Sequence, residues 1–163
     1  MIILSIDLSL RGTGYCIFKD SELVKYGVIN TDNSDSMFDR ILYIQKILDE
    51  LIISNSITNV CIENVAFGAR GAVVYQLQGS HLAVCLNIYK VHKIEPVALA
   101  ITTVKKQFTG SGRSDKKQML ETVPKDIREM FEKTYCPSRN LYDLVDSYAV
   151  GIVYLNRLKE KIL

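Results

Sequence analysis

An apolar run, Ile2-Ile3-Leu4-Ser5-Ile6, stops at the carboxylate of Asp7, and this joining of a buried strand to a terminal charge constrains the fold more than any other feature. Arg11-Gly12-Thr13-Gly14 then reads as a turn, since glycine reaches positive φ without a steric penalty. Tyr15-Cys16-Ile17-Phe18 reads as a second strand, and Glu22 to Ile29 as a third after the polar turn at Lys19-Asp20-Ser21. Three strands joined by short turns predict an antiparallel meander.

Beyond residue 30 the pattern alternates. Phe38, Ile41, Ile44, Leu48, Leu51 and Ile52 recur at helical spacing over 36–54, with Ser34 or Ser36 as the cap. Asn59 to Glu63 repeats the first motif, an apolar strand ending in a carboxylate. Gly68 and Gly71 bracket a loop, and 72–90 reads as a mostly apolar helix. Lys93 to Leu99 is a fifth strand, with Pro96 marking an edge or bulge. A short helix at Ile101 to Phe108, a mobile loop at 109–114 and a helix at 115–122 follow. Pro124 to Pro137 reads as irregular or broken helix, and 140–161 as a final amphipathic helix. The expectation is one α/β domain over 1–163, built on a five-stranded mixed sheet with an antiparallel meander followed by parallel strands, and flanked by helices.

Bulk properties narrow the class. At 163 residues and 48% apolar composition the chain can bury a substantial core. No apolar run has the length of a membrane span, and no basic stretch precedes the N-terminal apolar run as in a signal peptide. Cys16, Cys61, Cys85 and Cys136 form no CxxC pair, so free thiols in a reducing compartment are expected, the cytoplasm of a bacterial cell or of a phage host. Net charge is only +2, but Lys105, Lys106, Arg113, Lys116 and Lys117 crowd one stretch, a candidate phosphate-contacting surface.

Four acids stand where stability alone would not put them. Asp7 and Glu63 end apolar strands, while Asp143 and Asp146 share one face of the last helix by their three-residue spacing. Taken singly, each has an ordinary explanation: a capped turn, a strand-end ion pair, a favourable place near a helix start, or plain solvation. Taken together they predict a cation site, because a buried ionised carboxylate costs free energy unless a partner neutralises it. Magnesium favours such oxygen ligands, and two ions about 3.5–4 Å apart can clamp both oxygens of a phosphodiester displacement.

In this order the motifs resemble those of the RuvC-type Holliday-junction resolvases, of the ribonuclease H-like superfamily. The likeness runs over nearly the whole chain: Ile6-Asp7-Leu8-Ser9-Leu10-Arg11-Gly12-Thr13-Gly14-Tyr15, Ile62-Glu63-Asn64-Val65, Val104-Lys105-Lys106 with Gly110 to Gln118, and Asp143 to Ala149. The resemblance implies a ribonuclease H-like fold, a homodimer, and paired symmetric nicking of four-way junctions in DNA recombination and repair. It implies Asp7, Glu63, Asp143 and Asp146 as ligands of two Mg2+ ions, with Mn2+ as substitute. It implies catalytic support from Lys116 and DNA contacts from Lys105, Lys106, Arg113, Lys116, Lys117 and the aromatic wedge Phe67. The apolar helix 72–90 is the expected dimer interface, with a central core helix as the alternative; His81 on it is expected to be structural rather than a ligand. Ser9 stands where the family usually has glycine, and Phe67 lies one residue farther from Glu63 than the family spacing. The compact length and the divergent 120–140 segment fit a phage or mobile-element member. Alternatives with the same motifs are a broader flap or fork nuclease and a catalytically inactive junction binder; a nucleotide-handling domain of the same superfold lacks its glycine-rich loops here.

Overall fold

A computed structural model describes residues 1–65, 72–135 and 138–160. The meander is β1 (Ile2–Asp7), β2 (Gly12–Lys19) and β3 (Glu22–Asn30); helix α1 (Met37–Ser54) leads to β4 (Asn59–Asn64). Helix α2 (Ala72–His92) leads to β5 (Val97–Ala100), and α3 (Ile101–Thr109), α4 (Lys116–Thr122), α5 (Lys125–Tyr135) and α6 (Arg139–Glu160) complete the chain. The sheet order is β3-β2-β1-β4-β5. β1–β2 and β2–β3 are antiparallel, while β1–β4 and β4–β5 are parallel. This is the mixed sheet the sequence predicts.

Strand parity divides the core. Successive side chains of a strand point to opposite faces. Leu4, Ile6, Ile17, Val60 and Ile62 pack with Ile44, Leu48 and Leu51 of α1 and with Val84 and Ile88 of α2. Ile3, Cys16, Phe18 and Cys61 pack on the other face with Leu144, Val145, Ala149 and Val153 of α6. Asp7 and Glu63 share parity with Ile3 and Cys61, so their side chains belong to the α6 face.

Helix α6 lies unusually close to the sheet. A Cβ on Gly14 would stand 2.0 Å from the main-chain oxygen of Asp143, and one on Gly151 would stand 2.2 Å from the Phe18 ring. Gly14 is therefore a strand residue required by close approach, not part of the turn that the sequence pattern indicates. Its cross-strand partner is Asp7.

Two elements differ from expectation. The stretch from Pro124 to Pro137, read as irregular or broken helix, forms α5 over Lys125–Tyr135. Pro124 immediately precedes the helix, where a missing N–H costs nothing, and Phe131 anchors it in the core beside Tyr26 and Tyr148. The fifth strand, expected from Lys93, begins only at Val97, because Pro96 donates no ladder hydrogen bond. Ser36 caps α1 by accepting from the Asp39 N–H at 3.1 Å.

Candidate active site at the strand ends beneath helix α6

The site starts from strand register. Ile6 pairs with Ile62 across the parallel β1–β4 ladder, so Asp7 and Glu63 end up side by side at the C-terminal ends of neighbouring strands. Gly14, opposite Asp7, lets the first turns of α6 settle onto β2, which brings Asp143 and Asp146 over the same strand ends. The turn between β1 and β2 is locked by Ser9, whose Oγ accepts from the Gly12 N–H at 3.1 Å and donates to the Gly12 carbonyl at 3.0 Å. The serine thus supplies by side-chain hydrogen bonds a turn that a glycine would make by conformational freedom.

The acids lie close enough to perturb one another's ionisation. Burial, and then the charges of Glu63, Asp146 and Asp143, push the Asp7 carboxyl well above the usual carboxylate range. Burial and Asp146 push Glu63 up to about 7, opposed by a hydrogen bond with Asp7 and by the Lys105 ammonium. Burial pushes Asp146 up to about 6 against the pull of Lys116 and Lys105. Burial raises Asp143 too, opposed by Arg139 and Lys116. Asp143 Oδ2 is buried and has no hydrogen-bond partner. A group of acids raised together is a strong marker of a functional site.

The flanking cations are arranged unequally. Lys105 on α3 donates to the Ser114 carbonyl at 2.8 Å, and Lys116 at the start of α4 stands 5.0 Å from the centroid of the Tyr142 ring. Both act on the carboxylates. Lys106, Arg113 and Lys117 are exposed, and Lys117 lies 3.8 Å from Glu121. The loop between α3 and α4, expected to be mobile, is tied by hydrogen bonds among Thr109, Ser111 and Ser114. Phe67 lies outside the described residues. Among the described cysteines, Cys16, Cys61 and Cys85 are free thiols; Cys136 lies outside them.

Sequence reasoning missed Arg139, 3.9 Å from Asp143 Oδ1, and Tyr142 beneath Lys116. Only the four-residue step from Arg139 to Asp143 carries any signal for the first. His81 lies on α2, as the helical reading of 72–90 expects. The imidazole lies against the Glu63 main chain and near Cys85 Sγ, with Nε2 buried and unbonded.

A family model for "Crossover junction endodeoxyribonuclease RuvC" matches residues 3–153. The chain belongs to the RuvC family. Its relatives include the RuvC of Ehrlichia canis, 28% identical over 159 residues that cover 94% of this chain and 96% of the relative. The RuvC of Rickettsia rickettsii (strain Sheila Smith) is 28% identical over 127 residues, covering 76% of this chain and 80% of the relative. Among solved structures, Thermus thermophilus RuvC in complex with a Holliday junction substrate aligns with a TM-score of 0.73 at 18% identity, covering 95% and 94% of the two chains. The fowlpox virus Holliday junction resolvase aligns with a TM-score of 0.57 at 13% identity, covering 96% and 99%. These likenesses give this RuvC-family chain a ribonuclease H-like fold.

RuvC-family nucleases depend on divalent metal ions. The donor set here fits such an ion: four carboxylates, hard oxygen ligands, one with a buried oxygen that lacks any partner. As they stand, no three described His, Cys, Asp or Glu side chains are spaced closely enough to enclose an ion. No helix among the described residues is long and apolar enough to cross a membrane.

Proposed function

We propose that this chain resolves four-way DNA junctions by metal-dependent phosphodiester hydrolysis, at one cleft in each subunit of a homodimer. The observation that supports it most is the convergence of Asp7, Glu63, Asp143 and Asp146 at the strand ends of a chain whose family is named for crossover junction endonucleases. Relatives of the same fold have been captured with Holliday junction DNA. Residues 1–163 act as one nuclease domain in this reading.

The four acids would hold two Mg2+ ions, or Mn2+ in their place. When bound, such ions acidify an attacking water and stabilise both oxygens of the displacement. Asp7 and Glu63, both raised by burial and joined by a hydrogen bond, would have to be ionised to hold a cation. Lys105 and Lys116, held at the rim, meet the non-bridging oxygens of the scissile phosphate and stabilise charge as it builds. Lys116 is steered by the Tyr142 ring, and Lys105 by the Ser114 carbonyl. Lys106, Arg113 and Lys117 lie farther out and follow the strand's phosphates, so binding weakens steeply with salt. Cleavage leaves 5′-phosphate and 3′-hydroxyl ends.

The homodimer reading rests on α2. Tyr75, Leu82, Leu86 and Tyr89 are exposed, and Phe38 and Leu42 of α1 continue the same apolar face. A groove of about 350 Å³ runs between Phe38, Leu42 and Tyr75. A second copy covers this face and sets two active sites in two-fold relation, which matches a two-fold substrate. Free thiols among the described cysteines and a DNA substrate support a cytoplasmic site of action.

The test is cleavage of labelled four-way junction, flap, fork and linear duplex with Mg2+. We expect paired symmetric nicks in the junction, abolished by Asp7→Asn or Asp146→Asn while junction binding persists. Preference for flaps without symmetric junction nicking would overturn the substrate assignment. Undiminished cleavage by both variants would remove these acids from the mechanism.

A further inference from the structure

A groove of about 240 Å³ opens on the Asp143 side of the carboxylates, apart from the lysine-bearing loop. Arg11 from the β1–β2 turn, Asn30 and Asn33 from the end of β3, and Arg139 and Asn140 from the start of α6 line it, with Asp143 as its inner wall. We propose that this groove is a second phosphate subsite, which holds a backbone phosphodiester of the cleaved strand neighbouring the scissile one. The proposal rests on the reading of the chain as a nuclease of branched DNA.

The donor chemistry points to an anion. Two arginines and three asparagines line one space, and a guanidinium presents paired N–H groups that match a phosphate's oxygens. The groove also meets the first turn of α6, a 22-residue helix with no acid in that turn to offset its positive end. The volume holds a phosphodiester and part of its sugar, against roughly 30 Å³ for a single water.

The single acid present does not reverse the sign. Asp143 Oδ1 is 3.9 Å from the Arg139 Nε, a loose ion pair, and its Oδ2 is buried without a partner. A cation on that carboxylate would neutralise it and leave the Arg139 charge to the groove. Gly12 lines the groove beside Asp143. A Cβ there would stand 2.8 Å from Asp143 Oδ2 and about as close as van der Waals contact allows, 3.4 Å and 3.5 Å, to the side-chain oxygens of Asn30 and Asn140. The basic loop lysines do not line this groove, so a strand crossing the carboxylates is gripped on both sides of the cut.

The test measures four-way junction binding by fluorescence anisotropy from low to high salt, in an Asp7→Asn background so that cleavage plays no part. Arg11→Gln, Arg139→Gln and the double variant are compared with the corresponding lysine substitutions. Arg11 is exposed and pairs with no described acid, so its variant reports on the groove without disturbing Asp143. We expect the double glutamine variant to bind about tenfold or more weakly, with the slope of log K against log salt reduced by about one. The lysine variants should retain the slope and lose part of the affinity. Unchanged affinity and slope in the double glutamine variant would overturn the subsite. If the parent binds junctions but no protein with all four acids cleaves them, the nuclease reading fails while the salt slopes still decide the groove.

Discussion

Gly14 has no side chain to contribute, yet it decides where two of the four acids sit. A Cβ at this position would stand 2.0 Å from the Asp143 carbonyl oxygen, which is backbone and cannot swing away. Gly14→Ala therefore lifts the start of α6 off β2 and draws Asp143 and Asp146 back from Asp7 and Glu63. We expect a stability loss of about 1–3 kcal/mol by chemical denaturation, and a larger proportional loss of junction cleavage than of junction binding. A variant with wild-type cleavage would show that the helix has slack the geometry does not suggest. The acids themselves were legible in the sequence, because a carboxylate at the end of an apolar strand is expensive and invites a reason. Gly14 was not, since turn chemistry and close packing leave the same letter. Arg139 and Tyr142 were invisible for a related reason: their relation to the acids and to Lys116 exists only after α6 has docked.

Elements with strong periodicity were readable, and those governed by their neighbours were not. Strands β1 to β4 and helices α1, α2 and α6 follow from apolar spacing alone. Helix α5 escaped because Pro124 and Pro137 bracket it and look like disruption, whereas the first merely precedes a helix held by Phe131. Helix α2 posed a different problem, since periodicity could not distinguish a core helix from an interface. Val84 and Ile88 are buried on the sheet, while Leu82 is 67% exposed and Leu86 59%, so the helix has two apolar faces and only one is covered among the described residues. Leu82→Asp with Leu86→Asp should leave the folded subunit intact by circular dichroism and shift the protein from dimer to monomer in size-exclusion light scattering. Monomers should nick junctions singly rather than in pairs. A variant that remains dimeric would move the interface elsewhere.

At the scale of the whole molecule, the acid cluster sets how stability responds to pH. Ordinary carboxylates titrate near 4, but burial and mutual repulsion push Asp146 up to about 6, Glu63 up to about 7, and Asp7 well above its ordinary value. A group raised in the folded state contributes stability that is complete below its unfolded pKa and is lost as pH climbs through the folded one. With chelator present, the melting temperature should therefore fall as pH rises from about 4 to about 7. Mg2+ should restore it, most strongly at the upper end, where the acids are ready to ionise and bind. Calorimetry across that range with EDTA or Mg2+ checks both statements; a flat or rising profile in chelator would contradict the electrostatic picture.

Gly14 on the sheet receives the backbone of α6 at Asp143, and Gly151 on α6 receives the ring of Phe18 from the sheet, about two helical turns farther along. A rod pegged at one point can still pivot; pegged at two, with socket and pin exchanged between the partners, it can neither slide nor roll. Since that one rod carries two of the acids, an arginine and the tyrosine beneath the lysine, its misalignment would spoil all of them at once. Damage at the distant peg should then read out as a chemical defect, although Gly151 lies far from any reacting atom.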